Sequence, residues 1–151
     1  LTGSPTAHGV RVKRAAGNFA VGNNVLTAVQ FDAEDYDTDS MHSNVTNNTR
    51  LTIPTVTGVT TGIWSFSACG YTDATAGRSD VQIKLNGASI IAMALLPASA
   101  SGVSGYIVAG DYVFTATDFI ECFVRTSGQA GNVIFDAPSP SFEAHFVGLV
   151  T

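Results

Sequence analysis

Short segments in which apolar and polar residues alternate recur along the chain, with Gly, Asn, Ser and Asp between them. A period of two is the mark of half-buried strands, and helix-period patterns are nearly absent. The pattern is carried by "GVRVKRA", "VLTAVQF", "NTRLTIP", "GIWSFSACGY", "DVQIKLNG", "SIIAMALL", "GYIVAGDYVF", "DFIECFVRTSG", "NVIFD" and "SFEAHFVGLV". In the first, Val10 and Val12 alternate against Arg11 and Lys13. In the last, Phe142, Ala144 and Phe146 share one face, and Glu143 and His145 share the other. Trp64 alternates with Phe66 and Ala68, which predicts a core position for all three. Asn86-Gly87, set between apolar alternations, is the strongest hairpin signal. The expected fold is a single-domain antiparallel all-β sandwich or jelly roll with about ten strands.

The opening "LTGSPTAHG" is small, polar and bears Pro and Gly. It predicts an N-terminal arm or linker over residues 1–9, ahead of a domain at 10–151. The chain starts at Leu1 rather than Met, which fits a piece trimmed from, or attached to, something longer.

Composition adds a constraint on partners. With 151 residues there is enough chain for one real core. Hydrophobic residues make up 45% and charged residues 13%, against about 25% charged in ordinary soluble domains. No apolar run approaches the ~20 residues of a membrane helix, so no membrane role is expected. Apolar surface covered by further copies of the chain is the simplest expectation. A net charge of −5 argues against nucleic acid as a general partner, because phosphate binding needs a basic face. Cys69 and Cys122 make neither a disulfide framework nor a metal-ligand spacing. Free thiols are expected, with a single bridge left open.

Candidate chemistry concentrates in "QFDAEDYDTDSMHS", which holds Asp32, Glu34, Asp35, Asp37 and Asp39. Asp35, Asp37 and Asp39 reproduce the first, third and fifth ligand positions of a calcium loop. Ser40 then stands where the turning Gly belongs and Thr46 where the bidentate Glu belongs, which excludes an EF-hand. A looser calcium site on those three acids stays open. The favoured expectation is a polar loop after a strand ending at Phe31-Asp32, its Asp side chains bonded to nearby backbone amides.

Nothing assembles into catalytic machinery. The chain has no G-x-S-x-G elbow, and His8, His42 and His145 are scattered. The remaining acids offer no obvious pair for glycoside hydrolysis. The expectation is therefore a non-enzyme. Ligand contact is expected from Asp35, Tyr36, Asp37, Asp39 and His42, with Tyr71 as a further exposed aromatic anchor. The basic run Arg11, Lys13 and Arg14 is expected to face solvent or to pair with an adjacent subunit's acids.

The order of motifs carries a resemblance. Phe31-Asp32 with Asp37 is followed by "RLTIP" (Leu51 to Pro54), then Gly62-Ile63-Trp64-Ser65-Phe66, then Asn86-Gly87, then Asp118 with Ile120-Glu121. This succession, from about Val10 to Val150, resembles the complement C1q/tumour necrosis factor-like jelly-roll family in its bacteriophage virion-type form. Two departures stand out: "PTVTGVTTG" is stretched, and Thr117 replaces the Gly before Asp118. The resemblance implies a homotrimer without enzymatic activity. It implies a virion surface protein (head fibre, capsid decoration or fibre-tip module) assembled in the host cytoplasm. Its partners would be other virion proteins of capsid or fibre shaft, with a host-surface glycan as an attachment target. The alternative is a secreted or cell-surface C1q-like recognition module with a calcium-stabilised ligand site. No other cofactor is implied.

Overall fold

Twelve strands form in the computed structural model, which describes residues 7–56, 58, 60–73, 78–98, 103–128, 130–134 and 141–150. They are β1 Gly9–Lys13, β2 Phe19–Val21, β3 Thr27–Ala28, β4 Ala33–Asp37, β5 Arg50–Thr52 and β6 Thr61–Thr72. There follow β7 Arg78–Leu85, β8 Ser89–Leu96, β9 Ser104–Thr115, β10 Phe119–Ser127, β11 Gly131–Ile134 and β12 Ser141–Leu149. Ten of them fall in the ten alternating segments; β2 and β4 are additional. The strand pairings are antiparallel.

The strands make two sheets. The larger runs β2-β11-β6-β12-β1-β4 with β9 on the other side of β6, and the smaller runs β3-β10-β7-β8 with β5 also on β10. Alternation decides what lies between them. The large sheet turns Val10, Val12, Trp64, Phe66, Phe142 and Ala144 inward, and the small sheet turns Val81, Ile83, Ile120, Cys122 and Val124 inward. Each fully buried large apolar side chain contributes roughly 1.5–3 kcal/mol, so this single layer of contact supplies the main cohesion.

The turns follow the sequence signals. Asn86 (φ 52°) and Gly87 (φ 71°) are both left-handed between β7 and β8, with the Ala88 N–H bonded to the Leu85 carbonyl at 3.0 Å. That is the primed turn whose twist matches the flanking strands. Asn86 also reaches the next turn, donating to Asp118 Oδ1 at 2.9 Å and accepting the Phe119 N–H at 2.9 Å. There Thr117 takes φ 79°, a conformation costly for a β-branched residue. Its N–H is held by the Ile53 carbonyl at 2.9 Å.

Two expectations change. The acidic stretch is not a loop from Asp32 onward, because Ala33–Asp37 forms β4 on the edge of the large sheet, beside β1. Phe31 precedes the strand as a buried core residue, and the Asp32 carboxylate accepts the N–H groups of Ala15 and Ala16 at 2.5 and 3.1 Å. The basic run explains the strand: Lys13 pairs with Asp35, and Arg11 Nε lies 3.6 Å from the same carboxylate. Arg11 and Lys13 thus find their acids within the chain. Of the expected arm, residues 1–6 lie outside the described residues. His8 is docked, its ring edge-on to Phe146, and Gly9 opens β1.

Candidate functional site

The pairing of β4, β1, β12, β6 and β9 sets five strands side by side, and their outward residues form rows. One row reads Tyr36, Arg11, Glu143, Ser67 and Ala109. The next includes His145, Ser65 and Asp111. Because Ser65, Ser67, Ala109 and Gly110 are small, the sheet has a hollow of about 420 Å³ walled by Glu143, His145 and Asp111.

Hydrogen bonds lock the polar groups around it. Ser67 Oγ donates to Glu143 Oε1 at 2.7 Å, and Ser65 Oγ donates to Asp111. Glu143 Oε2 lies 3.8 Å from Arg11 Nε and 3.6 Å from His145 Nε2. The Tyr36 hydroxyl meets His145 Nε2 at 3.1 Å. Partial burial, and then the negative charge of Glu143, push the Tyr36 phenol above its usual range. The serine hydroxyls are donated to carboxylates, and His145 is engaged by Tyr36 and Glu143. A nucleophile–base pair would need a serine and the imidazole to share a proton; Ser65 and Ser67 donate instead to Asp111 and Glu143.

The site residues expected from the sequence separate into distinct roles. Asp35 answers Lys13 and Arg11. Asp37 accepts three backbone N–H groups, from Asp39 at 3.2 Å, Met41 at 2.9 Å and His42 at 2.8 Å. Asp39 takes the His8 ring at 2.9 Å and the Thr38 hydroxyl at 2.7 Å. The three carboxylates that could hold calcium are therefore aimed at three separate sets of partners. Among the described residues no group of three or more His, Cys, Asp or Glu side chains is placed to hold a metal ion.

His42 is shut away from solvent, with Nδ1 2.9 Å from Glu34 Oε1 and Nε2 3.4 Å from the Asn48 carbonyl. Tyr36 belongs to the outward face. Tyr71 lies elsewhere: it sits four residues beyond Ser67 on β6, roughly 13 Å along the strand, with its ring against Gly105. The sequence reading did not single out Arg11, Ser65, Ser67, Asp111, Glu143 and His145 as a group. Alternation put Glu143 and His145 on one face, but only cross-strand register joins them to Tyr36 and Asp111.

Cys69 Sγ lies 3.4 Å from Ser141 Oγ, on the large sheet. Cys122 is buried, and that burial pushes its thiol up to about 12.

No family model and no curated protein matches the chain. Solved structures do. Murine APRIL superposes with a TM-score of 0.70 over 94% of this chain and all of its own, at 8% identity. The Eiger TNF of S. frugiperda superposes with a TM-score of 0.71 over 96% of this chain and 95% of its own, at 10% identity. A second murine APRIL structure, at pH 8.5, gives 0.64 at 9% identity. At such identities the likeness is one of fold, and the architecture is the TNF-like jelly roll.

Proposed function

We propose that this chain is a non-enzymatic, self-assembling recognition module that works as a homotrimer on a virion surface, as a head fibre, capsid decoration or fibre tip. The carrying observation is an uncovered apolar flank. The lateral edge strands β8 and β9 lie on the same side of the sandwich. They leave Ile90, Met93 and Leu95 of β8 and Ile107 and Val113 of β9 exposed, Ile107 to 76%. A long apolar edge strand invites pairing or aggregation unless it is covered. A second copy of the chain is the occupant that a low-charge, 45% hydrophobic composition favours. The virion setting draws on the order of sequence motifs, and attachment to a host-surface glycan would be the outward role.

Sedimentation equilibrium tests the assembly: a mass near three times 15.6 kDa is expected, and 15.6 kDa at micromolar concentration would end this reading. Antibodies against the chain should label intact particles of the source virion. Particles that remain unlabelled would remove the virion setting and leave the trimer standing.

A further inference from the structure

A second recess, away from the hollow on the large sheet, opens between the loop that follows β4 and strand β5. It has a volume of about 240 Å³, and its polar lining comes from Ser40, His42, Ser43, Thr46, Asn47, Arg50 and Thr52. Arg50 is its one Lys or Arg side chain. The guanidinium lies over the Phe119 ring, 4.0 Å from the centroid. Its Nε is enclosed and has no hydrogen-bond acceptor, the nearest carboxylate oxygen being Glu121 Oε1 at 3.8 Å. Glu121 Oε1 instead takes the Thr49 hydroxyl at 2.6 Å. Among the described residues no acceptor is hydrogen-bonded to any of the five Arg50 N–H donors. The fork is thus held flat from one side and left unused on the other.

We propose that this recess binds a carboxylated monosaccharide unit of the uronic acid type, with Arg50 as the carboxylate fork. Three features select that chemistry. A stacked planar guanidinium matches a carboxylate through two parallel hydrogen bonds. The buried carboxylate of Glu121 already offsets part of its charge, which favours a singly charged carboxylate over a doubly charged phosphate. The hydroxyls of Ser40, Ser43, Thr46 and Thr52 and the amide of Asn47 then face sugar hydroxyls. Ser43 Oγ accepts the Thr46 N–H at 3.0 Å, which leaves its own proton to donate outward. The volume is below the roughly 300 Å³ at which drug-sized pockets begin, which limits the guest to one sugar unit.

The inference rests on reading the protein as a recognition module, and it names the chemistry of that recognition. It is tested on the full chain, labelled with 15N, by titration with sodium glucuronate and, in separate arms, glucose and sodium acetate. Saturable amide shifts at Ser43, Thr46, Asn47 and Arg50 are expected with glucuronate. Glucose and acetate should each bind about tenfold weaker or less, since each lacks one half of the contacts. Arg50→Lys keeps the charge over Phe119 but loses the fork, and should weaken glucuronate about tenfold. Thr46→Val, at an exposed position, tests the hydroxyl lining in a chain whose Arg50 is untouched.

No saturable shift with glucuronate would overturn the proposal. So would an equal response to acetate (a plain anion site), an equal response to glucose, or indifference to both substitutions. Sedimentation of the same samples keeps the two readings apart: a trimer that fails to bind ends this inference alone, and a monomer that binds ends the assembly alone.

Discussion

The carboxylate of Asp37 accepts the backbone N–H of His42 at 2.8 Å and, through its other oxygen, that of Met41 at 2.9 Å. It works as a cap that turns the chain from β4 back beneath the sheet edge, where Met41 and His42 are buried. Removing it leaves those amides without an acceptor where water cannot easily replace it. Asp37→Ala is expected to lower stability by about 2–4 kcal/mol, because unsatisfied buried donors cost more than the net worth of the bonds. Asp37→Asn, which keeps one oxygen, should lose less. Urea denaturation measures both, and an Asp37→Ala chain as stable as wild type would show the turn to be held by other contacts.

This cap also marks where sequence reading worked and where it stopped. Alternation placed Trp64, Phe66 and Ala68 inside, and Asn86-Gly87 named its own turn, since these signals are local. Strand β4 was hidden because Glu34, Asp35 and Asp37 are poor strand formers. What makes them a strand is the facing basic β1, with Lys13 and Arg11 against Asp35. Complementarity across strands is invisible until the pairing is known. The same holds for the hollow and for Arg50, whose ring partner Phe119 lies 69 positions away in the chain.

Thr117 stands where the resembling family has Gly, and its φ of 79° supplies the physical reason for that Gly. A left-handed conformation costs an L-residue roughly 1–2 kcal/mol, and a β-branched side chain gains nothing from it. Thr117→Gly is therefore expected to stabilise the fold by about 1 kcal/mol, after the extra backbone entropy of Gly in the unfolded chain is subtracted. The N–H bond to the Ile53 carbonyl is kept. A thermal melt that moves downward would contradict the strain.

Burial raises Cys122 to about 12 and pushes Tyr106 well above its ordinary range, the latter helped by Cys122 and Cys69. Both groups are neutral when protonated and stay protonated in the fold to higher pH than in the unfolded chain. Above about pH 9, where the unfolded thiol ionises, the unfolded state binds fewer protons, so stability must fall as pH rises toward 12. Cys122→Val should flatten that alkaline slope in denaturation curves collected between pH 8 and 11. At pH 8 Cys122 should also resist alkylation in the folded protein and react once denatured. Rapid native labelling of Cys122 would contradict its burial.

Calcium is expected to leave the melting temperature where a chelator leaves it. Asp35 faces Lys13 and Arg11, Asp37 faces backbone amides and Asp39 faces His8, so binding would have to break several contacts to gather the three. A ligand that binds only the folded state raises its stability in proportion to the logarithm of its concentration. Melting scans at increasing calcium read that directly. A steady rise with concentration would show that the acids do converge.

The apolar flank yields the sharpest structural test. Leu95 on β8 and Ile107 on β9 are 54% and 76% exposed, on the free edges of the two sheets. If copies of the chain cover this flank, a Lys at either position buries an unpaired charge against apolar surface, which is strongly unfavourable. Leu95→Lys and Ile107→Lys should each reduce the mass toward 15.6 kDa while the strand content measured by circular dichroism persists. The melting temperature of wild type should rise with protein concentration, and that of the variants should not. A Lys at a position so open in the single chain costs the isolated fold little, which separates lost assembly from lost folding. Variants that keep the full mass at micromolar concentration would move the contact between copies away from β8 and β9.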